Sequence, residues 1–247
     1  MRLFPTFSNA VREIHRDLYK APKVKSSRVQ HLLGDFTTGE ASPYSYAVAA
    51  SGMPFEPGDL IADACGSGLE WWRNQAPATL TDWLSAELYA RFKVVPDVYD
   101  RRTESLHPEL APMLEGNHYG YTYAERTVGM LDIMANQLID APDTRRCFWP
   151  IFHPMDAIRA VHPTRVPCTI GYQAQIRPGP REKPMFEFTI ISRSCDYEKF
   201  WASDLWFAYR IGYALWGRMG DPDMTYGNVY HHILSFHRFI EDSEETY

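Results

Sequence analysis

An α/β (α+β) fold is predicted for the chain, as one domain over residues 1–247 in which helices pack on a mixed β-sheet. Two patterns in the sequence predict it. Apolar residues recur at helical spacing before residue 140, and from residue 166 they alternate with polar residues as in strands. The composition of 45% hydrophobic and 23% charged residues is that of a globular protein with enough apolar surface for one sizeable core.

Four stretches carry the helical pattern. In the first, residues 8–20, Ser8 is a candidate N-cap and Val11 and Ile14 share one face. The others are predicted at 81–92, 123–139 and 204–217. The prolines and glycines within 95–120 indicate irregular chain there.

The strand pattern begins after the first three of these helices. Residues 166–177 alternate and are predicted to form a strand with Cys168 on its apolar face. A Pro-Gly-Pro turn at 178–180 leads into a second predicted strand, Met185–Arg193, so the two should form a hairpin. A late strand is predicted around 225–240.

Charge and cysteine usage limit the partners that we expect. A formal net charge of −6 argues against a surface for nucleic-acid polymers but allows a local basic site for one phosphate. The four cysteines form no CxxC pair, which is typical of reduced thiols in the cytoplasm. The N-terminal segment has charged residues where a signal peptide has an apolar run, and no stretch is long enough to span a membrane. We therefore expect a cytoplasmic protein with a small-molecule substrate and no membrane partner.

Three segments resemble the thymidylate synthase superfamily, in that family's own order. Residues 142–146 (PDTRR) are similar to the family's Pro-Asp-Ser-Arg-Arg motif. Pro167-Cys168, with Gln173 five residues after the cysteine, is similar to the strand that carries the family's nucleophile. Residues 193–196 (RSCD) are similar to its Arg-Ser-x-Asp motif. The resemblance covers roughly residues 117–240 and implies the family's fold, with the sheet forming the interface of a homodimer.

The resemblance implies a covalent mechanism on a pyrimidine nucleotide. Cys168 would add to carbon 6 of the ring as a thiolate, which is the reactive form of cysteine. Carbon 5 would then attack the one-carbon unit of 5,10-methylenetetrahydrofolate, the implied cofactor. Arg193 and Ser194 would bind the substrate phosphate, and Arg145 and Arg146 would complete the same kind of site in the neighbouring subunit.

Further residues receive roles through the same resemblance. Glu70 would organise proton transfer and water as a catalytic carboxylate. Asp196, Tyr123 and Tyr99 would contact the cofactor. The remaining candidates for substrate binding are Gln173, Tyr230, His232 and Arg28.

Asp204 indicates which base the protein reads. It stands eleven residues after Arg193, where thymidylate synthases carry an asparagine that pairs with uracil. An ionised carboxylate only accepts hydrogen bonds, so it repels the uracil carbonyl oxygen but accepts from the cytosine amino group. The residue therefore favours cytosine, and it would help Glu70 to organise water.

An aspartate at this position resembles the cytidylate 5-hydroxymethylases of phages and of nucleoside-antibiotic pathways such as that of mildiomycin. In these enzymes water, rather than hydride, captures the methylene group, so the implied reaction is 5-hydroxymethylation of a cytidine monophosphate. The family holds the sugar 3′-hydroxyl with a His-x-Tyr pair, and Tyr230 and His232 exchange these two residue types. The exchange leaves room for a 2′-hydroxyl and favours CMP over dCMP. The phage-type reaction on dCMP and the methylation of dUMP are the alternatives.

Other interpretations of these residues stay open from the sequence alone. Cys168 could be core filler on an apolar strand face, and Asp204 could be only the N-cap of a helix. A metal site would need His231 and His232, which point to opposite faces of a strand, so no metal is expected. A cysteine hydrolase would need a local nucleophile signature that the sequence does not offer. A dimeric nucleotide-binding scaffold would need neither the cysteine nor the Arg-Ser-x-Asp motif.

Overall fold

The computed structural model describes residues 1–29, 32–63, 123–127, 129–159, 166–198 and 200–240. The helices in these ranges are α1 Phe7–Tyr19, α2 Pro57–Asp63, α3 Tyr123–Arg126, α4 Met130–Asp140, α5 Pro154–Arg159 and α6 Trp201–Met219. The strands are β1 Arg2–Phe4, β2 Lys23–Val29, β3 Leu32–Ala41, β4 Tyr44–Ala49, β5 Phe148–Pro150, β6 Thr169–Pro178, β7 Pro184–Ser192, β8 Cys195–Asp196, β9 Thr225–Ile233 and β10 Phe236–Ile240. The helix predicted at 81–92 and the irregular segment at 95–120 lie outside the described residues.

The strands form two mixed sheets. One has six strands in the order β1-β4-β9-β7-β6-β5, and the other has four in the order β2-β3-β10-β8. In the larger sheet β9 runs parallel to β7 and antiparallel to β4. Helix α6 lies against β7 and β9, and α4 lies against α6. The predicted class, helices packed on a mixed sheet, is confirmed.

The core lies between the larger sheet and α6. Burial alternates along β7, so Phe186, Phe188 and Ile190 face the helix and are at most 1% exposed. Gly212 lets the helix approach closely, because a Cβ atom there would lie only 2.9 Å from the Cβ of Phe188. Each buried side chain of this size stabilises the fold by about 1.5–3 kcal/mol relative to exposure.

Helix α1 begins at Phe7 because Thr6 caps it. The Thr6 hydroxyl accepts a hydrogen bond from the backbone N–H of Asn9 at 3.2 Å. The prediction of Ser8 as the N-cap is therefore wrong, since Ser8 lies inside the helix. The predicted inward face is confirmed, with Val11 and Ile14 buried.

The helix predicted over 123–139 is two helices, α3 and α4. Gly129 lies between them with φ at 70°. A positive φ cannot continue a right-handed helix, and glycine adopts it without the steric cost of a Cβ atom. The apolar residues at helical spacing, Met130, Leu131 and Met134, all belong to α4 and are buried.

Strands β6 and β7 form the predicted antiparallel hairpin. A β-bulge between Thr169 and Gly171 shifts the alternation by one residue. Thr169, paired with Ser192, consequently takes the buried face. The prediction that Cys168 lies within the strand on its apolar face is wrong, because it precedes β6 in a bend and is half-buried.

The strand predicted around 225–240 is two strands in different sheets. Strand β9 belongs to the larger sheet and β10 to the smaller one. Leu234 N–H donates to the Ser192 carbonyl at 2.9 Å, and Ser235 N–H donates to the Arg193 carbonyl at 3.1 Å. These bonds hold the connection against the end of β7, so the two sheets meet beside Arg193.

Candidate active site

Cys168 and Arg193 lie side by side where β6 begins and β7 ends. The backbone N–H of Arg193 donates to the carbonyl of Cys168 at 2.8 Å. Its guanidinium donates from Nε to the Pro167 carbonyl at 2.9 Å and from Nη2 to the Val166 carbonyl at 3.2 Å. These bonds fix the arginine on the segment that carries the cysteine and use only part of its donor capacity. The remaining N–H groups can bind an anion.

A buried thiol, Cys195, links this pair to two carboxylates. Burial raises the pKa of Cys195 well above its usual value, and the charges of Asp204, Cys168 and Asp196 raise it further. Backbone hydrogen bonds connect the same residues. The Phe200 N–H donates to the Asp196 carbonyl at 3.1 Å, and the Asp204 N–H donates to the Phe200 carbonyl at 2.8 Å. On the other side of Cys195, the Arg193 N–H donates to the Cys168 carbonyl at 2.8 Å. Cys195 is only 2% exposed, whereas Cys168 and Asp204 are half-buried and accessible.

Asp204 lies in the first turn of α6 and not at its cap. The N-cap is Phe200, and the Asp204 backbone N–H donates to the Phe200 carbonyl at 2.8 Å in the helical pattern. The interpretation of Asp204 as a capping residue is therefore wrong, and the helix predicted at 204–217 begins earlier, at Trp201. The positive end of the helix dipole favours an ionised carboxylate in this turn.

Two predicted cofactor residues also lie at this end of the sheet. The Tyr123 hydroxyl accepts a hydrogen bond from the backbone N–H of Thr169 at 3.4 Å, one residue after Cys168. Asp196 is 6% exposed, and its Oδ1 accepts from the Glu198 N–H at 2.9 Å. The predicted phosphate ligand Ser194 is half-buried beside Arg193.

Gln173 and Tyr230 lie on the other side of the larger sheet, away from α6. Strand pairing places them in one row with Thr189 and Phe148, and we call this surface the open face. Its side chains are half-buried, except for Phe148, which is 37% exposed.

Tyr230 has a carboxylate partner that the sequence did not indicate. Its hydroxyl donates to Glu187 Oε1 at 2.6 Å, and Asn228 Nδ2 donates to the same oxygen at 3.2 Å. Burial, together with the hydrogen bond and charge of Glu187, raises the pKa of Tyr230 to about 12. The phenol therefore stays protonated. Finding Glu187 requires knowing that β7 pairs with β9, and no local pattern shows that pairing.

His231 and His232 point to opposite faces of β9, as predicted. His232 lies on the open face with its Nδ1 at 2.9 Å from the Ser45 hydroxyl, and burial lowers its pKa. His231 is 0% exposed on the helix-covered face, where its Nδ1 lies 2.9 Å from Tyr46 Oη and its Nε2 lies 3.0 Å from Ser192 Oγ.

Arg145 and Arg146 are exposed in the turn between α4 and β5, at the edge of the larger sheet. No contact between described residues joins them to the Cys168 segment of the same chain. The side chain of Arg28, on β2, lies outside the described residues, as do Glu70 and Tyr99.

The described ranges contain neither a cluster of metal-ligating side chains nor a membrane-spanning helix. In these ranges no group of three or more His, Cys, Asp and Glu side chains is arranged to hold a metal ion. No helix in the described part of the chain is both long and apolar enough to cross a membrane.

Comparison with known proteins identifies the fold. No protein-family model and no curated protein matched the sequence. Among solved structures, the chain is similar to the thermostable thymidylate synthase A from Bacillus subtilis, with a TM-score of 0.63 and 13% sequence identity. The match covers 95% of this chain and 80% of that one. The protein therefore has a thymidylate-synthase-like fold, as the sequence resemblance predicted.

Proposed function

We propose that the protein is a one-carbon transferase that hydroxymethylates carbon 5 of a cytidine monophosphate, with CMP preferred over dCMP. The observation that carries this proposal is that Arg193 is bonded to the segment that holds Cys168, while backbone hydrogen bonds through Phe200 connect Asp196 to Asp204. Covalent chemistry on a cytosine nucleotide needs a nucleophile, a cation for the phosphate and a carboxylate for the base. The likeness in fold to a thymidylate synthase supports the same class of reaction.

Cys168 is the proposed nucleophile. It is half-buried and accessible, and the positive charge of Arg193, whose Nε donates to the carbonyl of the preceding residue Pro167, favours its thiolate. The thiolate adds to carbon 6 of the ring, after which carbon 5 bonds the incoming one-carbon unit and loses its proton. Cleavage of the bond between the one-carbon unit and the nitrogen of its donor, which would leave as the free amine with a proton, would give an exocyclic methylene group. Water would then add to this group and lose a proton, and departure of the Cys168 thiolate would restore the aromatic ring.

Asp204 is the proposed reader of the base. Its ionised carboxylate accepts from the cytosine amino group, whereas uracil would present a second acceptor to it. A buried mismatch of this kind leaves a polar group unpaired and discriminates strongly. Its place in the first turn of α6 lets the helix dipole stabilise the ionised form.

The residues present fit 5,10-methylenetetrahydrofolate as the carbon donor. The Asp196 carboxylate, 6% exposed beside Cys195, offers acceptor oxygens for the N–H donors of a pterin ring. Tyr123 lies next to the Cys168 segment, where it would contact the same group. Methylenetetrahydrofolate supplies the one-carbon unit. Glu70 and Tyr99, outside the described residues, stay proposed as a water-organising carboxylate and a cofactor contact.

Tyr230 and His232 are the proposed sugar contacts, with Gln173 beside them. The Tyr230 hydroxyl donates to Glu187, and its oxygen already accepts a long bond from Asn228 Nδ2 at 3.4 Å. The second lone pair of this oxygen would accept from a sugar hydroxyl. His232 uses Nδ1 for Ser45, which leaves Nε2 for the ligand.

We propose that the open face packs against the same face of a second copy of the chain, so that the protein is a homodimer. A two-fold interface pairs a surface with itself, and the part of the open face with Thr189 and the exposed Phe148 offers a mixed polar and apolar surface of this kind, beside the proposed sugar contacts. Arg145 and Arg146 project beside the edge strand β5, from which they would reach the partner's phosphate site. Arg28 is a further proposed phosphate ligand.

Parallel incubations with CMP, dCMP and dUMP, each with methylenetetrahydrofolate, test the reaction by mass spectrometry of the products. We expect 5-hydroxymethyl-CMP with tetrahydrofolate released intact, and the highest kcat/KM on CMP. Methylation of dUMP alone would assign thymidylate synthesis instead, and a higher kcat/KM on dCMP would overturn the ribose preference. Nucleotide binding without turnover would indicate a binding scaffold.

Asp204→Asn is the matched variant for the base assignment, because it exchanges one oxygen for an amide nitrogen. It should lose affinity for CMP and gain affinity for uridine nucleotides. Unchanged preference for CMP would remove Asp204 from the base site.

A further inference from the structure

Four buried side chains form one continuous hydrogen-bonded chain, which we call the buried brace. Trp201 Nε1 donates to Tyr46 Oη at 2.7 Å. Tyr46 Oη lies 2.9 Å from His231 Nδ1, and His231 Nε2 lies 3.0 Å from Ser192 Oγ. All four residues are 0% exposed. The brace joins α6, β4, β9 and β7.

The direction of the protons along the brace follows from its chemistry. An indole N–H can only donate, so the Tyr46 oxygen accepts from Trp201. The Tyr46 O–H is left to donate to Nδ1 of His231, whose ring proton then lies on Nε2 and is donated to Ser192. Burial lowers the pKa of His231 to about 3 and raises the pKa of Tyr46 well above its usual value, so both groups stay neutral at pH 7.

The two ends of the brace lie beside the groups proposed to bind the nucleotide. Trp201 opens the turn of α6 that carries Asp204, and its ring is stacked on Phe7 with centroids 5.5 Å apart. Ser192 is followed directly by Arg193, whose N–H is bonded to the Cys168 carbonyl. The brace therefore runs from the segment with the base-reading carboxylate to the segment with the phosphate-binding cation.

We infer that the brace is a positioning element that sets the distance between Asp204 and Arg193, a role that rests on the proposed function. Binding groups must be held within about 0.5 Å of the productive geometry to act together. Directional hydrogen bonds in a dry interior restrain that distance more tightly than apolar packing alone. The brace residues act through Asp204 and Arg193, since none of the four is open to a ligand.

Tyr46→Phe tests the brace at its centre, because it removes one oxygen atom and keeps the ring. The matched control is Tyr226→Phe, which removes a phenol bonded to the Tyr209 carbonyl at 3.3 Å near the other end of β9. Hydrogen–deuterium exchange of the ligand-free protein should be about tenfold faster over 201–205 and 192–194 in Tyr46→Phe, and unchanged there in Tyr226→Phe. Equal protection of these segments in both variants overturns the inference.

Ser192→Ala breaks the far link with less disturbance of the core and gives a second route to the same result. Faster exchange over 201–205, at the other end of the brace from the substitution, supports the brace. Faster exchange confined to the neighbours of Ser192 contradicts it.

Nucleotide selectivity separates positioning from simple stabilisation. Calorimetry with CMP and UMP should give a ratio of affinities that falls about tenfold in Tyr46→Phe and holds in Tyr226→Phe. A purely structural role would lower the melting temperature of both variants and leave the ratio unchanged, which would overturn the inference. If the wild-type protein binds neither nucleotide, the proposed function fails, and the exchange experiment still decides whether the brace couples the two segments.

Discussion

The helix-covered face and the open face of the larger sheet each carry a histidine, and the two histidines differ in burial and in hydrogen-bond partners. On the covered face His231 is 0% exposed, and both of its ring nitrogens lie within hydrogen-bond distance of protein hydroxyls. On the open face its neighbour His232 is half-buried, and one of its ring nitrogens lies within hydrogen-bond distance of the Ser45 hydroxyl. The thiols divide in a similar way, with Cys195 buried and Cys168 accessible at the end of the sheet.

The difference shows that position in the fold, and not residue type, sets whether a polar side chain is buried among protein partners or stays accessible. A polar group covered by helices must find its partners inside the protein, and burial keeps it neutral. A group on the open face or at the end of the sheet keeps donors or acceptors for a ligand. The buried His231 and Cys195 can therefore be compared by mutation with the accessible His232 and Cys168.

The two thiols should give the largest contrast. Cys168→Ser should lower turnover on the order of 10⁴-fold, because a hydroxyl at this position has no base to activate it, while nucleotide affinity is largely kept. Cys195→Ser should reduce stability but leave the same chemistry in place, since the Cys195 thiol is buried and its pKa is raised. Steady-state kinetics and calorimetry on both variants measure the contrast. Comparable turnover losses in the two variants would contradict it.

The two histidines should differ in how acid affects stability. The pKa of His231 falls from 6.5 to about 3 on folding. Between these two pH values the imidazole is therefore protonated in the unfolded chain and neutral in the folded protein. The resulting stability is fully present above pH 6.5 and is lost as the pH falls towards 3, in total about 5 kcal/mol. Denaturant unfolding of the wild-type protein and His231→Asn across this range measures it, because the variant lacks the titration.

His232→Asn is the control for that experiment. Its histidine is half-buried, so removing it should change the acid dependence much less than removing His231. Parallel curves of unfolding free energy for the wild-type protein and His231→Asn would show that His231 is not the buried neutral group described here.

A charge placed on the open face should weaken the proposed dimer, with a smaller effect than those expected for the thiols and the histidines. Thr189→Arg places a charge in the central row of that face, where a two-fold interface would bring it near its own copy. We expect dimer affinity to fall on the order of 100-fold, as measured by analytical ultracentrifugation. Arg181→Glu, in the exposed hairpin turn, should leave the dimer intact. A wild-type protein that is monomeric at high concentration would contradict the proposed interface.

The parts of the fold that depend on local sequence could be predicted. The inward face of α1 and the β6–β7 hairpin follow from periodicity and a Pro-Gly-Pro turn. The break at Gly129 and the bulge at Thr169 could not be read, because each changes the backbone by a single residue without disturbing the apolar pattern. Strand β2 also escaped prediction, since Val24 is 40% exposed and gives little apolar alternation.

The candidate site was predicted in its motifs but not in its internal contacts. Cys168, Arg193 and Asp204 could be proposed from the sequence because each belongs to a recognisable segment, and their roles stay predictions. The partners Glu187 and Cys195 were not, because their roles depend on which strands are neighbours. The contact between Tyr46 and His231 spans 185 residues of sequence, and no local pattern encodes it.

Trapping with 5-fluoro-CMP and methylenetetrahydrofolate tests the central claim most directly. Fluorine at carbon 5 cannot leave as a proton, so the reaction should stop with Cys168 still bonded to carbon 6 of the ring. Peptide mass spectrometry should then find nucleotide and cofactor together on the Cys168 peptide of the wild-type protein and on no peptide of Cys168→Ser. An adduct on another cysteine, or none at all, would contradict Cys168 as the nucleophile.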